Sequence, residues 1–262
     1  MKILVCAKQV PNTNEVRIDP IKGTLIREGV ESILNPDDAN ALEAALVLKD
    51  QLGAKVTVVS MGPPQAEDML RECLAMGADE AILVSGREFG GSDTWATSNA
   101  IAAALRKVGD YDMIFAGRQA IDGDTAQVGP QISEKLGIPQ ITYVQDIKVD
   151  EKARKVTVQR QLEDGYEIVE APMPCLLTAV KELNKPRYMS IGGIYQAYET
   201  PITVWAFKDV DVPQDKVGLK ASPTRVFRSF TPQPKGKGTV YSGPVKDQVA
   251  KLMGSLKEKH II

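Results

Sequence analysis

The chain has 262 residues, 43% of them hydrophobic and 25% charged, enough apolar material for one large α/β domain with an appendage. A formal net charge of −2 excludes the broad positive field that a nucleic-acid or anionic-membrane partner would require. No apolar run approaches the roughly 20 residues of a membrane span, and the protein is expected in the cytoplasm.

Met1 to Cys6 reads as a strand rather than a secretory signal. Residues 2–7 form the first strand, and Lys8 to Thr13 form the loop after it. Residues 16–18 and 24–26 are short extended pieces around a turn at Pro20 to Gly23, the pattern of a hairpin lying on the ligand side of the domain. Asn35-Pro36-Asp37-Asp38 opens a helix, with Asn35 as cap and Pro36 at the first helical position. Leu42, Ala45, Leu46 and Leu48 give its buried face, and Gly53 ends it. Strand patterns follow at 55–60, 80–85 and 111–116, each preceded by a helical pattern.

Strands alternating with helices predict a parallel sheet covered by helices on both faces, with right-handed crossovers. Ligands of such sheets lie beyond the carboxyl ends of the strands. The loops at 7–13, 61–64, 86–94 and 117–131 should therefore converge on one side.

From Ile141 the pattern changes. Residues 142–149, 155–161 and 167–169 alternate at period two, which predicts an antiparallel extension. Cys175 to Thr178 reads as another buried strand, and beyond Val180 the chain reads as irregular. Residues 208–240 carry many Pro, Lys and Gly and too few apolar residues for a core, so they read as an extended arm. A last helix over about 243–258 has Val249, Leu252, Met253 and Leu256 on one face and needs a surface to pack on, which another chain can supply.

The catalytic inventory is short. The only histidine is His260, close to the end, which leaves little room for histidine acid–base chemistry or a histidine-based metal site. Cys6, Cys73 and Cys175 lack metal-binding spacing and read as free buried thiols. No G-x-S-x-G elbow occurs. Any reaction here is expected to be carried by a cofactor, with no catalytic side chain and no metal.

The loop from Gly117 to Gln131 is the strongest candidate for its site. It follows the strand at 111–116 and leads into a helix with Val128, Ile132 and Leu136 on one face. A helix start offers free N–H groups and a positive dipole end, which suit a diphosphate. Asp122, Asp124 and Thr125 can cap the helix or bind ligand hydroxyls, and Gly123 and Gly129 permit close approach to the backbone. The same run is also a good turn and cap in any protein, and it matches neither the G-x-G-x-x-G fingerprint nor a P-loop.

Gln119-Ala120-Ile121-Asp122, with Asp124, Gln127 and Gly129, resembles the adenine-nucleotide loop of electron-transfer flavoprotein small (beta) subunits. The stretch from Val158 through Arg160, Glu163-Asp164-Gly165, Glu167 and Val169 to Pro174-x-Leu176-Leu177-Thr178 resembles the family's signature, and Asn184-x-Pro186-Arg187-Tyr188 is also similar. The resemblance implies a heterodimer with a large (alpha) subunit carrying flavin. It implies a Rossmann-like domain over 1–207, with a partner-recognition loop at about 179–198, and a C-terminal arm and helix over 208–262 that wrap the large subunit.

Two branches of the family differ in what the small subunit holds. One holds a structural AMP. The other holds a second FAD, accepts a hydride from NADH, and bifurcates the electrons to ferredoxin and to the large-subunit FAD. Residues 11–19, Arg27-x-Gly29, Asn35 to Asp38, Phe89 to Ser98 and Gly123 resemble the bifurcating branch, so FAD is the favoured cofactor and AMP the alternative. The resemblance puts Cys6 and Ala7 against the adenine and Asn35, Met61 and Gly62 in the adenosine pocket. It wraps the ribose and phosphates in Asp122, Gly123, Asp124, Thr125, Ala126, Gln127, Val128, Gly129, Pro130 and Gln131. Asp93, Thr94 and Thr97 then address the flavin end, and Arg87 either faces the flavin or is solvated.

Ile191 is the implied anchor for a partner flavin dehydrogenase, of acyl-CoA or 2-hydroxy acid type. The family's usual basic run is missing after it. A stand-alone nucleotide-binding protein of the same fold is the competing reading, disfavoured by the long arm.

Overall fold

The computed structural model describes residues 1–12, 31–224, 227 and 236–262, and the backbone of 17–18 and 25–26. Parts of the expected hairpin and of the resemblance between residues 13 and 30 lie outside the described residues.

In chain order the elements are β1 (Lys2–Cys6), β2 (Gln9–Pro11), β3 (Arg17–Ile18), β4 (Leu25–Ile26), β5 (Ser32–Leu34) and α1 (Pro36–Leu52). Then come β6 (Lys55–Met61), α2 (Ala66–Met76), β7 (Glu80–Val84), α3 (Thr94–Val108), β8 (Met113–Gly117) and α4 (Val128–Leu136). The second half holds β9 (Gln140–Asp150), β10 (Lys155–Leu162), β11 (Gly165–Pro172), β12 (Cys175–Ala179), α5 (Ile191–Glu199), β13 (Thr203–Trp205), α6 (Gly218–Ala221) and α7 (Val245–Glu258).

The main sheet has nine strands in the order β11-β10-β9-β12-β8-β1-β6-β7-β13. Strands β9 through β13 along that order pair in parallel, while β10 and β11 extend it antiparallel. β1 lies between β6 and β8, so the chain winds outward on one side of β1 and returns on the other. That reversal opens a crevice at the carboxyl ends of β1 and β8.

The period-two alternation of β1 divides the core. Ile3 and Val5 join Leu42, Leu46, Leu70 and Cys73 under α1 and α2. Leu4 and Cys6 join Ala100, Ala104, Leu105 and Ile132 under α3 and α4. Each fully buried aliphatic side chain of this kind contributes about 1.5–3 kcal/mol. Helix α1 ends as expected, with Gly53 in the left-handed region at φ 68° and its N–H on the Lys49 carbonyl. All three cysteines are free and buried.

Three features depart from the sequence reading. The Asn35 side chain does not cap α1; it is spent on the loop after β8. The stretch beyond Val180 is more regular than its Gly and Pro content suggests. It yields α5 and then β13, which pairs in parallel with β7. Finally, the first part of the expected arm packs on the domain, with Val210 and Val217 buried in the second cluster.

Helix α5 begins at Ile191, so the expected recognition loop is a helix over much of its length. Ser190 caps it by accepting the Gly193 N–H at 2.9 Å. Gly193 sits against α2, where a Cβ would collide with the Ala75 carbonyl oxygen. Gly193, expected in a loop, is thus what lets α5 lie close to α2. The segment before it is clamped to α1. Arg187 grips Glu43 through two nitrogens at 2.9 and 3.0 Å and reaches Asp50 at 2.8 Å, while Asn40 and Asn184 exchange hydrogen bonds.

Candidate functional site

The loops after β1, β6, β7 and β8 converge on one cavity of about 940 Å³ at the carboxyl edge of the sheet. Its floor is made by Cys6 at the end of β1 with Ala7 just after it, Ala116 and Gly117 of β8, and Met61 at the end of β6 with Gly62 just after it. Glycine and alanine predominate at these strand ends, so the sheet edge itself is exposed to a ligand.

The 117–131 loop forms one wall. Asp122, Gly123, Thr125, Ala126, Gln127, Val128 and Gly129 line the cavity. Asp124 and Ala126 hold left-handed conformations, at φ 48° and 52°, which cost a non-glycine residue about 1–2 kcal/mol. The loop is held in this form from below. Asn35, fully buried, donates through Nδ2 to the Gln119 carbonyl at 2.9 Å and accepts the Ile121 N–H at 3.1 Å. Asn35 therefore shapes the loop rather than lining the cavity.

Asp124, Pro130 and Gln131, also expected in the site, are not among the lining residues. Gln119 donates to Asp124 at 2.9 Å, and Gln131 accepts from Ser98 at 2.9 Å while facing Thr94 at 3.4 Å. Pro130 follows on the first turn of α4 without reaching the cavity surface. Thr94 also donates to Gln127 at 2.8 Å, so this polar ladder joins α3 to α4.

A second wall is the turn between β7 and α3, which meets the first where Thr94 bonds to Gln127. Gly90, Gly91, Ser92, Asp93, Thr94 and Thr97 line it, with Phe89 and Arg87 beside them. Asp93 caps α3 by accepting the Ala96 N–H at 3.0 Å, and its other oxygen accepts from Thr224. Burial pushes its carboxyl up, but these hydrogen bonds outweigh that and hold it below the usual range.

Lys8 and Asp38 also line the cavity and were not singled out from sequence. Lys8 donates to both carboxylate oxygens of Asp122, at 2.7 and 2.8 Å. Asp38 is buried at the start of α1, where its two oxygens accept the Lys8 N–H at 2.9 Å and the Gly117 N–H at 2.8 Å. Burial pushes Asp38 up to about 7 against those bonds. Burial, with Asp38 nearby, pushes the Cys6 thiol up to about 12, which leaves it protonated and unreactive at neutral pH. The placement of Lys8 in a ligand-side loop was legible; its pairing with a residue 114 positions away was not.

Two apolar surfaces lie away from the cavity. Ile191 is 90% exposed at the start of α5, and Tyr188, Tyr195 and Tyr198 are exposed near it. Helix α7 buries none of its side chains among the described residues, leaving Val249, Leu252 and Met253 open. No helix among the described residues is long and apolar enough to cross a membrane.

Comparison with known proteins places this geometry in context. Residues 22–210 match the family described as "Electron transfer flavoprotein domain". Over the full length of both chains, the sequence is 64% identical to the "Caffeyl-CoA reductase-Etf complex subunit CarD" of Acetobacterium woodii. It is 60% identical, again over both full lengths, to the "Electron transfer flavoprotein subunit beta" of Clostridium acetobutylicum. It is 53% identical over both full lengths to the "Acryloyl-CoA reductase electron transfer subunit gamma" of Anaerotignum propionicum.

Proposed function

The chain belongs to the electron transfer flavoprotein family, and from that premise we propose that it is a small subunit that binds FAD and takes part in NADH-driven electron bifurcation. The observation that carries this reading is the continuity of the cavity. At about 940 Å³ it stands near the top of the range for small-molecule sites, about 300–1,000 Å³. A mononucleotide on the 117–131 wall would leave the Gly90–Thr97 wall uncovered, whereas FAD spans both.

The residues present fit that group. The 122–129 backbone and the start of α4 receive the ribose and diphosphate, and Lys8, paired with Asp122, adds a positive charge on that wall. Cys6, Ala7, Met61 and Gly62 present a flat apolar floor to the adenine, and Asn35 holds the loop over it. Thr94 and Thr97 supply hydroxyls at the flavin end, where Arg87 adds a positive charge. When bound, FAD supplies hydride acceptance from NADH and the division of two electrons between ferredoxin and the large-subunit FAD. No side chain of this chain is needed as acid or base; its part is to orient the rings and exclude water.

Residues 1–207 serve as the nucleotide-binding domain and 208–262 as the arm that packs on the large subunit, with α7 as its apolar end. Ile191 is the docking anchor for a partner flavin dehydrogenase. The names of the relatives, a caffeyl-CoA reductase complex subunit and an acryloyl-CoA reductase subunit, favour an enzyme of the acyl-CoA type over a 2-hydroxy acid dehydrogenase. The complex is expected in the cytoplasm.

The test is the nucleotide content of the heterodimer after co-expression with its large subunit. Two FAD and no AMP support the reading. One FAD and one AMP overturn it and leave a conventional carrier subunit with a structural nucleotide.

A further inference from the structure

The turn that forms the flavin-end wall is held from outside by the segment leading into the arm. Leu219 donates its N–H to the Gly90 carbonyl at 3.1 Å, and Gly218 donates to the Ser92 hydroxyl at 3.0 Å. The buried Ser222 hydroxyl accepts the Asp93 N–H at 2.9 Å and donates to the Gly218 carbonyl at 2.9 Å. Thr224 closes the set, giving Asp93 Oδ2 its backbone N–H at 3.0 Å and its hydroxyl at 2.7 Å. Packing follows the hydrogen bonds. Gly91, at φ 72°, lies directly under Leu219, where a Cβ would stand 3.0 Å from the Leu219 Cβ.

Phe89 anchors the start of this turn in the core, edge-on to Phe207, but no side chain from Gly90 to Asp93 is buried. Within the turn, Gly90 bonds back to Arg87 and Ser92 to Phe89, which closes short turns but does not fix where the wall stands. Between the Phe89 anchor and the start of α3, the stretch from Gly90 to Asp93 is therefore held in place by residues 217–224. Val217 anchors that segment in the core, and beyond it the chain leads to α7.

We propose that Ser222 and Thr224 are positioning residues for the flavin end of the cavity, so that the root of the C-terminal arm determines how firmly this subunit holds its FAD. The inference rests on the FAD reading above. Neither residue lines the cavity; both act through Asp93 and the 90–93 backbone. Coupling of this kind is reciprocal: a bound flavin stiffens the strap, and a loosened strap releases the flavin.

The test uses the full heterodimer with its large subunit, comparing wild type with Ser222→Ala, Thr224→Val and Thr224→Ser. The readouts are the rate at which each FAD is lost on dilution and the visible circular dichroism of each flavin. The large-subunit FAD serves as internal reference. Loss of a hydrogen bond to a charged acceptor sets the scale: Thr224→Val should release the small-subunit FAD on the order of tenfold faster, alter its dichroism, and leave the other flavin unchanged. Thr224→Ser, which keeps the hydroxyl, should behave as wild type. Ser222→Ala should have the larger effect; Thr224→Val, at the surface, keeps the test decisive if the buried change prevents folding.

Wild-type release rates and spectra in Thr224→Val, or equal loss in Thr224→Ser, would overturn the role of the strap while the FAD reading stands. A wild-type heterodimer holding one FAD and one AMP would instead remove the reading itself, and this proposal with it.

Discussion

Lys8 Nζ stands 2.7 and 2.8 Å from the two carboxylate oxygens of Asp122, joining the end of β1 to the loop after β8 across the cavity wall. The pair is partly exposed, so its worth to folding is small, about 0–1 kcal/mol. On the nucleotide reading proposed above, its worth to a polyanionic ligand is greater, because a diphosphate on the helix α4 side would meet the cation that the β1 loop presents there. Lys8→Met is expected to leave thermal stability within about 1 kcal/mol of wild type and to weaken nucleotide retention on the order of tenfold at low salt. Release rates at two ionic strengths check this; an effect that does not shrink with salt would argue against a charge interaction.

Asn35 carries a different prediction. It is fully buried and bonds to both Gln119 and Ile121. Asn35→Ala leaves a backbone carbonyl and an N–H without their partners, a loss of about 1–3 kcal/mol for each group that stays dry. The expected result is a lower denaturation midpoint together with loss of bound nucleotide, read by urea unfolding and by nucleotide extraction.

Asp38 makes stability depend on pH. Its carboxyl is pushed up from the ordinary 3.8 to about 7 by burial. Between those values the unfolded chain has released the proton while the folded chain keeps it, so folding takes up a proton and stability falls as pH rises. The difference in unfolding free energy between wild type and Asp38→Asn should therefore decline from about pH 4 to about pH 7 and level off above. Denaturant titrations at closely spaced pH values measure it. A flat difference would mean that the two backbone N–H bonds keep Asp38 ionised throughout.

Helix α5 offers two neighbouring substitutions with opposite outcomes. Ile191, 90% exposed, contributes little to folding, so Ile191→Ala should change stability by less than about 0.5 kcal/mol. It should slow electron delivery to the dehydrogenase while flavin content stays intact; loss of flavin would refute the docking role. Gly193→Ala places a Cβ against the Ala75 carbonyl and should destabilise by about 1–3 kcal/mol through displacement of α5 from α2. Paired thermal unfolding and electron-transfer assays on the two variants separate docking from scaffolding.

Much of this protein was legible without coordinates. The alternation of strands and helices implied a parallel sheet with helices on both faces, and topology alone implied that the loops at 7–13, 61–64, 86–94 and 117–131 meet. Both are local consequences: apolar periodicity selects the element, and a right-handed crossover selects the side. The chemical identity of the wall residues, Asp122 to Gly129 and Asp93 to Thr97, was also visible, because turn and cap chemistry is written in adjacent residues.

What the sequence could not state was which distant groups each side chain would find. Asn35 looks like a cap by its neighbours and is a strut by its contacts. Gly193 reads as part of a loop and is the contact point of a helix, because close packing against Ala75 outweighs the low helix propensity of glycine. Residues 217–224 read as arm and serve as the backing of the cavity. In each case local propensity leaves several outcomes within a few kcal/mol, and long-range hydrogen bonds or a single steric contact decide among them. The sequence by itself determined the layers and the residue types at the strand ends; the tertiary structure alone decided which residues line the cavity and which hold those residues in place.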